Sequence, residues 1–207
     1  MTFTTREEAG QKLGRYLADQ NIRVDFVLGL PRGGVVVAAE VAKLLKCPLD
    51  TLVVRKIGHP RHREFAVGAL AEDGTLVLDE EVLARAGVPP GELKQVVTEE
   101  TERLSEYRAK FHRTSTIKGK VVLIVDDGLA TGATAEVAVR SARNQHAEQV
   151  MVAAPVASES AVERLQRVAG RVLVLFSDPD FDAVGRYYLS FPQTTDGEVQ
   201  KLLGIKA

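Results

Sequence analysis

Two adjacent carboxylates, Asp126 and Asp127, follow a run of five aliphatic residues, Val121–Val125. A turn of small residues, Gly128–Thr134, comes next, and a helical pattern begins at Ala135. A helix that starts after such a turn presents unpaired backbone N–H groups and the positive end of its dipole, which suit a phosphate monoester. Because carboxylates repel phosphate, the acidic pair needs another target, and sugar hydroxyls or a hydrated Mg²⁺ are the chemically sensible ones.

The turn itself favours this interpretation over a simple helix cap. Many α/β proteins carry an Asp where a strand ends, so a lone acidic pair would favour the cap. The full order of aliphatic run, acidic pair and Ala130-Thr131-Gly132-Ala133-Thr134 is more restrictive. Gly132 and Ala133 let the backbone approach an anion because neither has a bulky side chain, and Thr131 and Thr134 can add hydroxyl donors.

The elements that must position these residues alternate between strand and helix. Nearly continuous apolar runs, typical of strands buried on both faces, predict five strands: Val24–Leu30, Leu49–Val54, Val121–Val125, Gln149–Val156 and Val172–Phe176. Helical spacing predicts a first helix after the Thr5-x-x-Glu8 capping pattern, and three more over Val35–Lys46, Ala135–Gln145 and Ser158–Val168. The predicted fold class is therefore α/β, an open parallel sheet flanked by helices.

Two regions depart from the alternation. Residues 55–78 are rich in Gly, Arg and His, and we expect a long, flexible loop with a small hairpin of Phe65–Leu70 and Thr75–Leu78. Residues 79–115 are predicted to be a helical insertion, in which Pro89-Pro90-Gly91 separates a short helix from a long one. The long helix carries an apolar stripe, which favours packing on the core or against a second subunit: Leu93, Val96, Val97, Leu104 and Tyr107. The predicted division is a core over residues 1–177 and a C-terminal segment over residues 178–207.

Composition limits the classes of function. The 207 residues are 45% hydrophobic, which is enough for one domain with a buried core. With 27 basic and 28 acidic residues the net charge is −1, so we expect no nucleic-acid partner, and any phosphate must be held by a local site. The single Cys47 excludes an internal disulfide and a cysteine metal cluster. Because no apolar run could span a bilayer and no signal-peptide core is present, we expect a cytoplasmic protein that does not contact membranes.

The segment Val121–Thr134 resembles the signature with which type I phosphoribosyltransferases hold 5-phosphoribosyl-1-pyrophosphate (PRPP). The resemblance covers most of residues 22–177, and it is closest to a bacterial group with Pro-Arg-Gly-Gly and Glu-Phe-Ala-Val-Gly-Ala segments. It implies that Asp126 and Asp127 bind the ribose hydroxyls and hold Mg²⁺. It also implies that Ala130–Thr134 wraps the 5′-phosphate, and that a small C-terminal hood covers the acceptor.

The turn Pro31-Arg32-Gly33-Gly34 resembles the pyrophosphate loop of the same family, although a Gly-Gly helix start is common in itself. Gly33 and Gly34 let backbone N–H groups reach a diphosphate, and Arg32 can supply charge. The resemblance predicts a non-proline cis peptide bond next to Arg32, and it places Lys56 near the pyrophosphate. The implied catalytic residues are Asp126, Asp127, Arg32 and Lys56.

Residues 55–78 resemble the family's mobile flap, whose closure would bring cations to the leaving group. For Arg61, His62 and Arg63, a solvated basic loop is an equally good interpretation. In the hood segment, Phe181 is the candidate to stack on a nucleobase, and its alternative role is to anchor the hood. Two further histidines on helical stretches are interpreted as surface or structural residues: His112 and His146.

The reaction implied by the resemblance moves the ribose-5-phosphate group from PRPP to a nitrogenous acceptor such as a nucleobase, and releases pyrophosphate. Mg²⁺ is the implied cofactor and a homodimer the expected assembly. In the 6-oxopurine branch of the family an Asp stands where this chain has Ala130, which disfavours hypoxanthine-guanine activity. Two alternatives stay open: a PRPP- or nucleotide-sensing regulator without turnover, and a different α/β phosphate protein in which the acidic pair binds Mg²⁺ or acts as a nucleophile.

Overall fold

The computed structural model describes residues 1–111 and 116–205. Within these ranges the strands are β1 (Phe26–Gly29), β2 (Leu49–Thr51), β3 (Val54–His59), β4 (His62–Ala71), β5 (Leu76–Leu78), β6 (Val121–Val125), β7 (Gln149–Ser158) and β8 (Arg171–Asp178). The helices are α1 (Arg6–Asp19), α2 (Gly33–Leu45), α3 (Glu80–Ala86), α4 (Pro90–Phe111), α5 (Ala133–Asn144), α6 (Glu159–Gln166) and α7 (Asp196–Leu203), with a 3-10 helix over Val184–Tyr187.

Five parallel strands form the main sheet, in the order β2-β1-β6-β7-β8. The strand β6 is buried throughout because its alternate side chains enter two different cores. One core contains Val122 and Ile124 together with side chains of α5 and α6. The other contains Leu123 and Val125 together with side chains of α1 and α2. This arrangement confirms the predicted open parallel sheet flanked by helices.

The order of the strands reverses between β1 and β6. From β1 the chain continues to β2 on one side, and from β6 it continues to β7 and β8 on the other. Gly29 at the end of β1 lies opposite Val125 at the end of β6, so the loops that follow the two strands are neighbours. The crevice between such loops is the place where ligands bind in open α/β sheets.

The helix α1 packs along α2 and brings the start of the chain to this crevice. As the capping pattern predicted, the Thr5 side chain accepts a hydrogen bond from the backbone N–H of Glu8, at 3.3 Å. A Cβ on Gly10 would lie 2.7 Å from the carbonyl oxygen of Val37, so the two helices approach as closely as their backbones permit. The first turn of α1, which contains Arg6, is therefore held in place.

Residues 55–78 do not form the long loop expected from the sequence, because most of them belong to a second sheet. Strands β3, β4 and β5 pair in an antiparallel arrangement, and the predicted hairpin is the β4–β5 half of it. The strand β3 was missed because a register shift after Ile57 interrupts its alternation and Gly, Arg and His residues dominate the rest. The sheet has an apolar face all the same, since Ile57, Val67 and Leu70 are buried with Val96 of α4.

Smaller corrections concern the ends of elements. The second predicted strand, Leu49–Val54, ends at Thr51, and Val54 begins β3 instead. His146 is exposed and lies in the turn after α5, with a φ of 62°, rather than on a helix. His112 lies outside the described residues.

The helical insertion consists of α3 and α4, as predicted, over its described part. The Asp79 side chain caps α3 by accepting a hydrogen bond from a backbone N–H. Along α4, Val96 and Leu104 are buried, and the ring of Tyr107 lies 5.7 Å from that of Phe111. The apolar stripe therefore faces the protein interior.

The hood segment pairs with the N-terminus of the chain. The backbone N–H of Phe3 donates to the Tyr187 carbonyl at 2.7 Å, and the N–H of Leu189 donates to the Phe3 carbonyl at 2.8 Å. The N-terminal residues and the hood segment thus meet beside the crevice. None of the helices in the described ranges combines the length and the apolar character needed to cross a membrane.

Candidate functional site

Asp126 and Asp127 stand at the carboxyl end of β6, in the crevice between β1 and β6. Asp126 Oδ1 accepts a hydrogen bond from the backbone N–H of Asp127 at 2.9 Å. Burial raises the pKa of Asp126 well above its usual range, and the neighbouring Asp127 carboxylate raises it further. Burial also raises the pKa of Asp127, while an ion pair with Arg6 acts in the opposite direction. Two largely buried carboxylates on adjacent residues need a cation or hydroxyl donors beside them to stay charged.

Arg6 provides such a cation, and it was not among the residues predicted from the sequence. Its Nε donates to Asp127 Oδ2 at 2.7 Å, and its Nη1 donates to the Pro192 carbonyl, also at 2.7 Å. The guanidinium lies 3.7 Å from the ring centre of Phe191, and the residue is only 9% exposed. A signal existed in the sequence: Arg6 lies on the same helical face as Leu13, where a cation is unusual unless it has a buried partner.

The turn after the acidic pair forms a cavity of about 140 Å³ at the N-terminus of α5. Gly132 adopts the left-handed conformation, with a φ of 71°, and the N–H of Ala133 donates to Thr131 Oγ1 at 3.4 Å. The next backbone N–H groups of the first helical turn face a space of the right size for a phosphate. All the residues predicted to hold phosphate line this one cavity: Ala130, Thr131, Gly132, Ala133 and Thr134.

Strand β7 fixes the turn on the edge of the sheet. The N–H of Leu129 donates to the Val156 carbonyl at 3.0 Å, and the N–H of Ser158 donates to the Leu129 carbonyl at 2.9 Å. The Ser158 hydroxyl donates to the Ala130 carbonyl at 2.6 Å and accepts from the N–H of Ala161 at 3.0 Å. The shape of the turn is thus fixed by contacts within the protein.

The glycines of the loop over residues 31–34 touch the acidic pair directly. A Cβ on Gly33 would overlap Asp127 Oδ2, and one on Gly34 would lie 2.7 Å from Asp126 Oδ1. Only glycine permits this approach of backbone to carboxylate. The structure therefore brings together, in one crevice, the two loops that the sequence predicted to share a ligand.

Arg32 in the same loop faces the hood rather than the acidic pair. The peptide bond between Pro31 and Arg32 is cis, as the resemblance predicted. Arg32 Nη1 lies 3.7 Å from Asp196 Oδ1 at the start of α7, and Lys110 Nζ lies 2.9 Å from the other carboxylate oxygen of Asp196. A phosphate-binding role for Arg32 would require the side chain to turn away from Asp196.

Lys56 lies in a separate cleft, of about 400 Å³, between the second sheet and α4. The cleft is also lined by Arg55, Arg63 and Arg103, so it is strongly basic. Glu100 is its acidic lining residue, and it pairs with Arg55 at 2.6 Å and with Arg103 at 2.7 Å. The structure thus does not place Lys56 in the cavity of the acidic pair.

The two arginines at the tip of the second sheet are paired with α4. Arg61 lies 2.9 Å from Glu92, and Arg63 lies 2.6 Å from Glu99. His62 is exposed, and its ring centre lies 5.6 Å from that of His59. Strands β3 and β4, called the ribbon below, are therefore joined to the helical insertion by ion pairs.

Phe181, the predicted stacking residue, packs inside the hood. Its ring stacks on Tyr187, with ring centres 5.1 Å apart, and the Tyr187 hydroxyl donates to Asp178 Oδ2 at 2.7 Å. Burial, and then the hydrogen bond to Asp178, raise the pKa of Tyr187 to about 12. These contacts are what the anchoring interpretation of Phe181 requires.

The donor set fits Mg²⁺ only if a ligand completes the coordination. Within the described residues, no group of three or more His, Cys, Asp and Glu side chains could hold a metal ion. Asp126 and Asp127 offer carboxylate oxygens, and Mg²⁺ commonly takes one or two carboxylates together with water and substrate phosphates. A cation shared with a phosphorylated substrate is compatible with this pair, whereas a cage built from protein side chains alone is not.

A match to the phosphoribosyl transferase domain model extends over residues 6–181, which includes both loops, the acidic pair and Phe181. The chain belongs to the phosphoribosyl transferase domain family. The matched range also contains Arg6 and the ribbon, whereas α7 lies beyond it.

Individual relatives agree with this membership. The chain is 42% identical over 206 residues to a protein found in two strains of Mycobacterium tuberculosis, CDC 1551 and H37Rv, that is named provisionally as a phosphoribosyl transferase. The match covers 97% of this chain and 46% of those proteins, so the chain spans about half the length of these relatives.

Two solved structures share the fold. The crystal structure of TT1426 from Thermus thermophilus is 42% identical and superimposes with a TM-score of 0.80, covering 98% of both chains. A purine phosphoribosyltransferase from Pyrococcus horikoshii is 17% identical with a TM-score of 0.52, covering 92% of this chain and 95% of its own, which shows a common fold alone.

Proposed function

We propose that the chain transfers the ribose-5-phosphate group of PRPP to a nitrogenous acceptor and releases pyrophosphate. The observation that carries this proposal is the convergence of three features in one crevice. A phosphate-sized cavity lies at the N-terminus of α5, a carboxylate pair lies beside it, and a glycine loop touches the pair. A monophosphate, a diol and a diphosphate are the corresponding groups of PRPP.

In this proposal the turn over residues 130–134 binds the 5′-phosphate, and Asp126 and Asp127 accept hydrogen bonds from the ribose hydroxyls. As the bond from C1 to pyrophosphate lengthens, positive charge develops on the ribose, and the acidic pair stabilises it. Gly33 and Gly34 bring backbone to the diphosphate. Catalysis then consists of positioning and electrostatics, since no covalent intermediate with the protein is needed.

Mg²⁺ belongs to the proposal as a cofactor shared with PRPP. Asp126 and Asp127 are the residues that would hold it, together with oxygens of the substrate, and the bound ion would neutralise charge on the departing pyrophosphate. A homodimeric assembly and a cytoplasmic location stay predictions from the sequence.

Arg32 and Lys56 are proposed as cations for the leaving group, and both must change position to act together. Arg32 has to leave Asp196, and the ribbon that carries Lys56 has to close over the crevice. A nucleobase is the proposed acceptor. Phe181 remains the proposed stacking residue, and Ala130, which cannot protonate a base, disfavours a 6-oxopurine.

The test is pyrophosphate release from PRPP and Mg²⁺ in the presence of a panel of nucleobases. We expect turnover with at least one base, and a fall in turnover of about 10²- to 10³-fold in Asp127→Asn, the loss typical of removing one electrostatic contact in a transition state. Asp182→Asn is the matched control, because Asp182 is an exposed hood residue paired with Arg186. Near-normal turnover in Asp127→Asn would contradict the assignment of the acidic pair.

Calorimetry with PRPP separates the alternatives. Binding of PRPP without turnover across the whole panel would favour a sensor on the same fold. Absence of any affinity for PRPP in the presence of Mg²⁺ would reject both the transferase and the sensor, and would leave a different phosphate-binding protein.

A further inference from the structure

We propose that Arg6 is a positioning residue of the crevice, which holds Asp127 by one carboxylate oxygen so that the other faces the ribose hydroxyls. This inference rests on the function proposed above. Arg6 Nε donates to Asp127 Oδ2 at 2.7 Å, and the Asp127 side chain keeps 15% of its surface exposed. The carboxylate is therefore fixed at one oxygen, while a ligand can still reach it.

The contacts of Arg6 suit this task because they fix the guanidinium in three ways. Nε binds Asp127, Nη1 binds the Pro192 carbonyl, and the planar group lies on the ring of Phe191. A planar fork with several donors can satisfy all three contacts at once, which an ammonium group cannot. Arg6 thereby connects α1, the hood and the acidic pair through one side chain.

The two members of the acidic pair are held differently, and the hydrogen bond from Arg6 goes to Asp127. The Tyr188 hydroxyl donates to the Asp127 carbonyl at 2.6 Å. The hood therefore holds the backbone of Asp127, and α1 holds its side chain through Arg6. The Asp126 carboxylate is held instead by the neighbouring backbone N–H. These contacts fix the orientation of the Asp127 carboxylate, which indicates that its orientation matters for binding the ligand.

Stability alone gives a poor reason for the ion pair. Removing two charges from water costs free energy that a buried pair recovers only in part, and hydrophobic replacements are often neutral or stabilising. The helix α1 is already attached without Arg6, through its contact at Gly10 and through the pairing of Phe3 with the hood. The ion pair is thus not needed to hold α1, whereas Asp127 needs it to keep its orientation.

The experiment compares Arg6→Gln and Arg6→Lys with the wild type, and measures kcat and KM for PRPP and for the acceptor separately. We expect Arg6→Gln to raise the KM for PRPP about 10- to 100-fold, the loss expected when a charged hydrogen bond fails, without changing the KM for the acceptor. The KM for PRPP of Arg6→Lys should lie between the values of the wild type and Arg6→Gln, because lysine keeps a cation beside Asp127 but loses the contacts with Pro192 and Phe191. Arg186→Gln is the matched control, since Arg186 is an exposed hood arginine whose Nε lies 2.9 Å from Asp182.

A purely structural role gives a different result. It would reduce the number of active molecules, and so lower kcat while leaving the KM for PRPP at the wild-type value in both variants; that outcome overturns the inference. Arg6→Lys decides the question if Arg6→Gln does not fold. If the wild type itself shows no affinity for PRPP, the proposed function fails and the inference fails with it, and this case is recognised without any variant.

Discussion

The turn after β6 and the ribbon of β3 and β4 are attached to the rest of the molecule by different forces. The turn is fixed by backbone hydrogen bonds of Leu129 to β7 and by the buried hydroxyl of Ser158. The outer part of the ribbon is joined to α4 by ion pairs between exposed side chains. In the pair nearest its tip, the side chains of Arg61 and Glu92 are 69% and 39% exposed.

This difference separates a turn that is fixed by buried bonds from a ribbon tip that is held by exposed ion pairs. Buried backbone hydrogen bonds are costly to leave unmade, so the turn is held in one shape. Exposed ion pairs contribute little and are screened by salt, so the arginines of the ribbon can exchange a carboxylate of α4 for another anion at low cost. The function proposed above would use both properties, the first for the 5′-phosphate and the second for a ribbon that moves over the crevice.

The largest expected effect comes from the contact between the fixed turn and the glycine loop. In Gly33→Ala, the added Cβ would overlap Asp127 Oδ2 and lie 2.8 Å from Arg6 Nε, so the acidic pair must shift. We expect PRPP affinity, measured by calorimetry with Mg²⁺, to fall on the order of 100-fold, the cost of misplacing a site by about an ångström. Gly197→Ala is the control, because a Cβ there meets no atom within 4 Å. Wild-type affinity in Gly33→Ala would show that the loop and the acidic pair do not act as one site.

A smaller effect is expected from removing the hydroxyl of Ser158, which fixes the turn. Ser158→Ala removes the hydrogen bond to the Ala130 carbonyl and the cap of α6 together. We expect the free energy of unfolding, measured with urea, to fall by about 1–2 kcal/mol. Ser105→Ala is the matched control, since Ser105 is exposed on α4 and its hydroxyl bonds only to the backbone one turn earlier. Equal stability of the two variants would mean that the turn does not depend on Ser158.

The same two regions show what the sequence could and could not predict. The strand β6, the acidic pair and the turn were predictable because each follows from neighbouring residues: five aliphatics, two carboxylates, then small residues before a helix. The ribbon was less predictable, because its register shift after Ile57 breaks the alternation and its apolar face is completed by Val96, far away in the chain.

Arg6 could not be placed from the sequence for a related reason. Local periodicity showed where its helix starts, but its partners Asp127, Phe191 and Pro192 lie more than a hundred residues away along the chain. Phe181 illustrates the reverse case. Its position after β8 was foreseen, whereas its stacking on Tyr187 depends on the path of the hood, which no local pattern encodes.

The smallest expected effect tests whether the ribbon is held as weakly as the comparison implies. The hydrogen bond from Arg61 lowers the pKa of Glu92 below its ordinary value of 4.5. This pair therefore stabilises the contact between the ribbon and α4 above that pH, and its contribution is lost as the pH falls below it. In Glu92→Gln at neutral pH we expect amide hydrogen exchange in the outer ends of β3 and β4 to accelerate by at most about five-fold, and the difference from wild type to vanish in about 1 M salt.

Glu81→Gln, which removes a still more exposed pair with Arg85 on α3, should leave the ribbon unchanged. Exchange in β6 should stay the same in every case. A much larger acceleration, or one that persists in high salt, would mean that the ribbon depends on this pair for its fold, and the distinction between a firmly fixed turn and a weakly held ribbon tip would then be wrong.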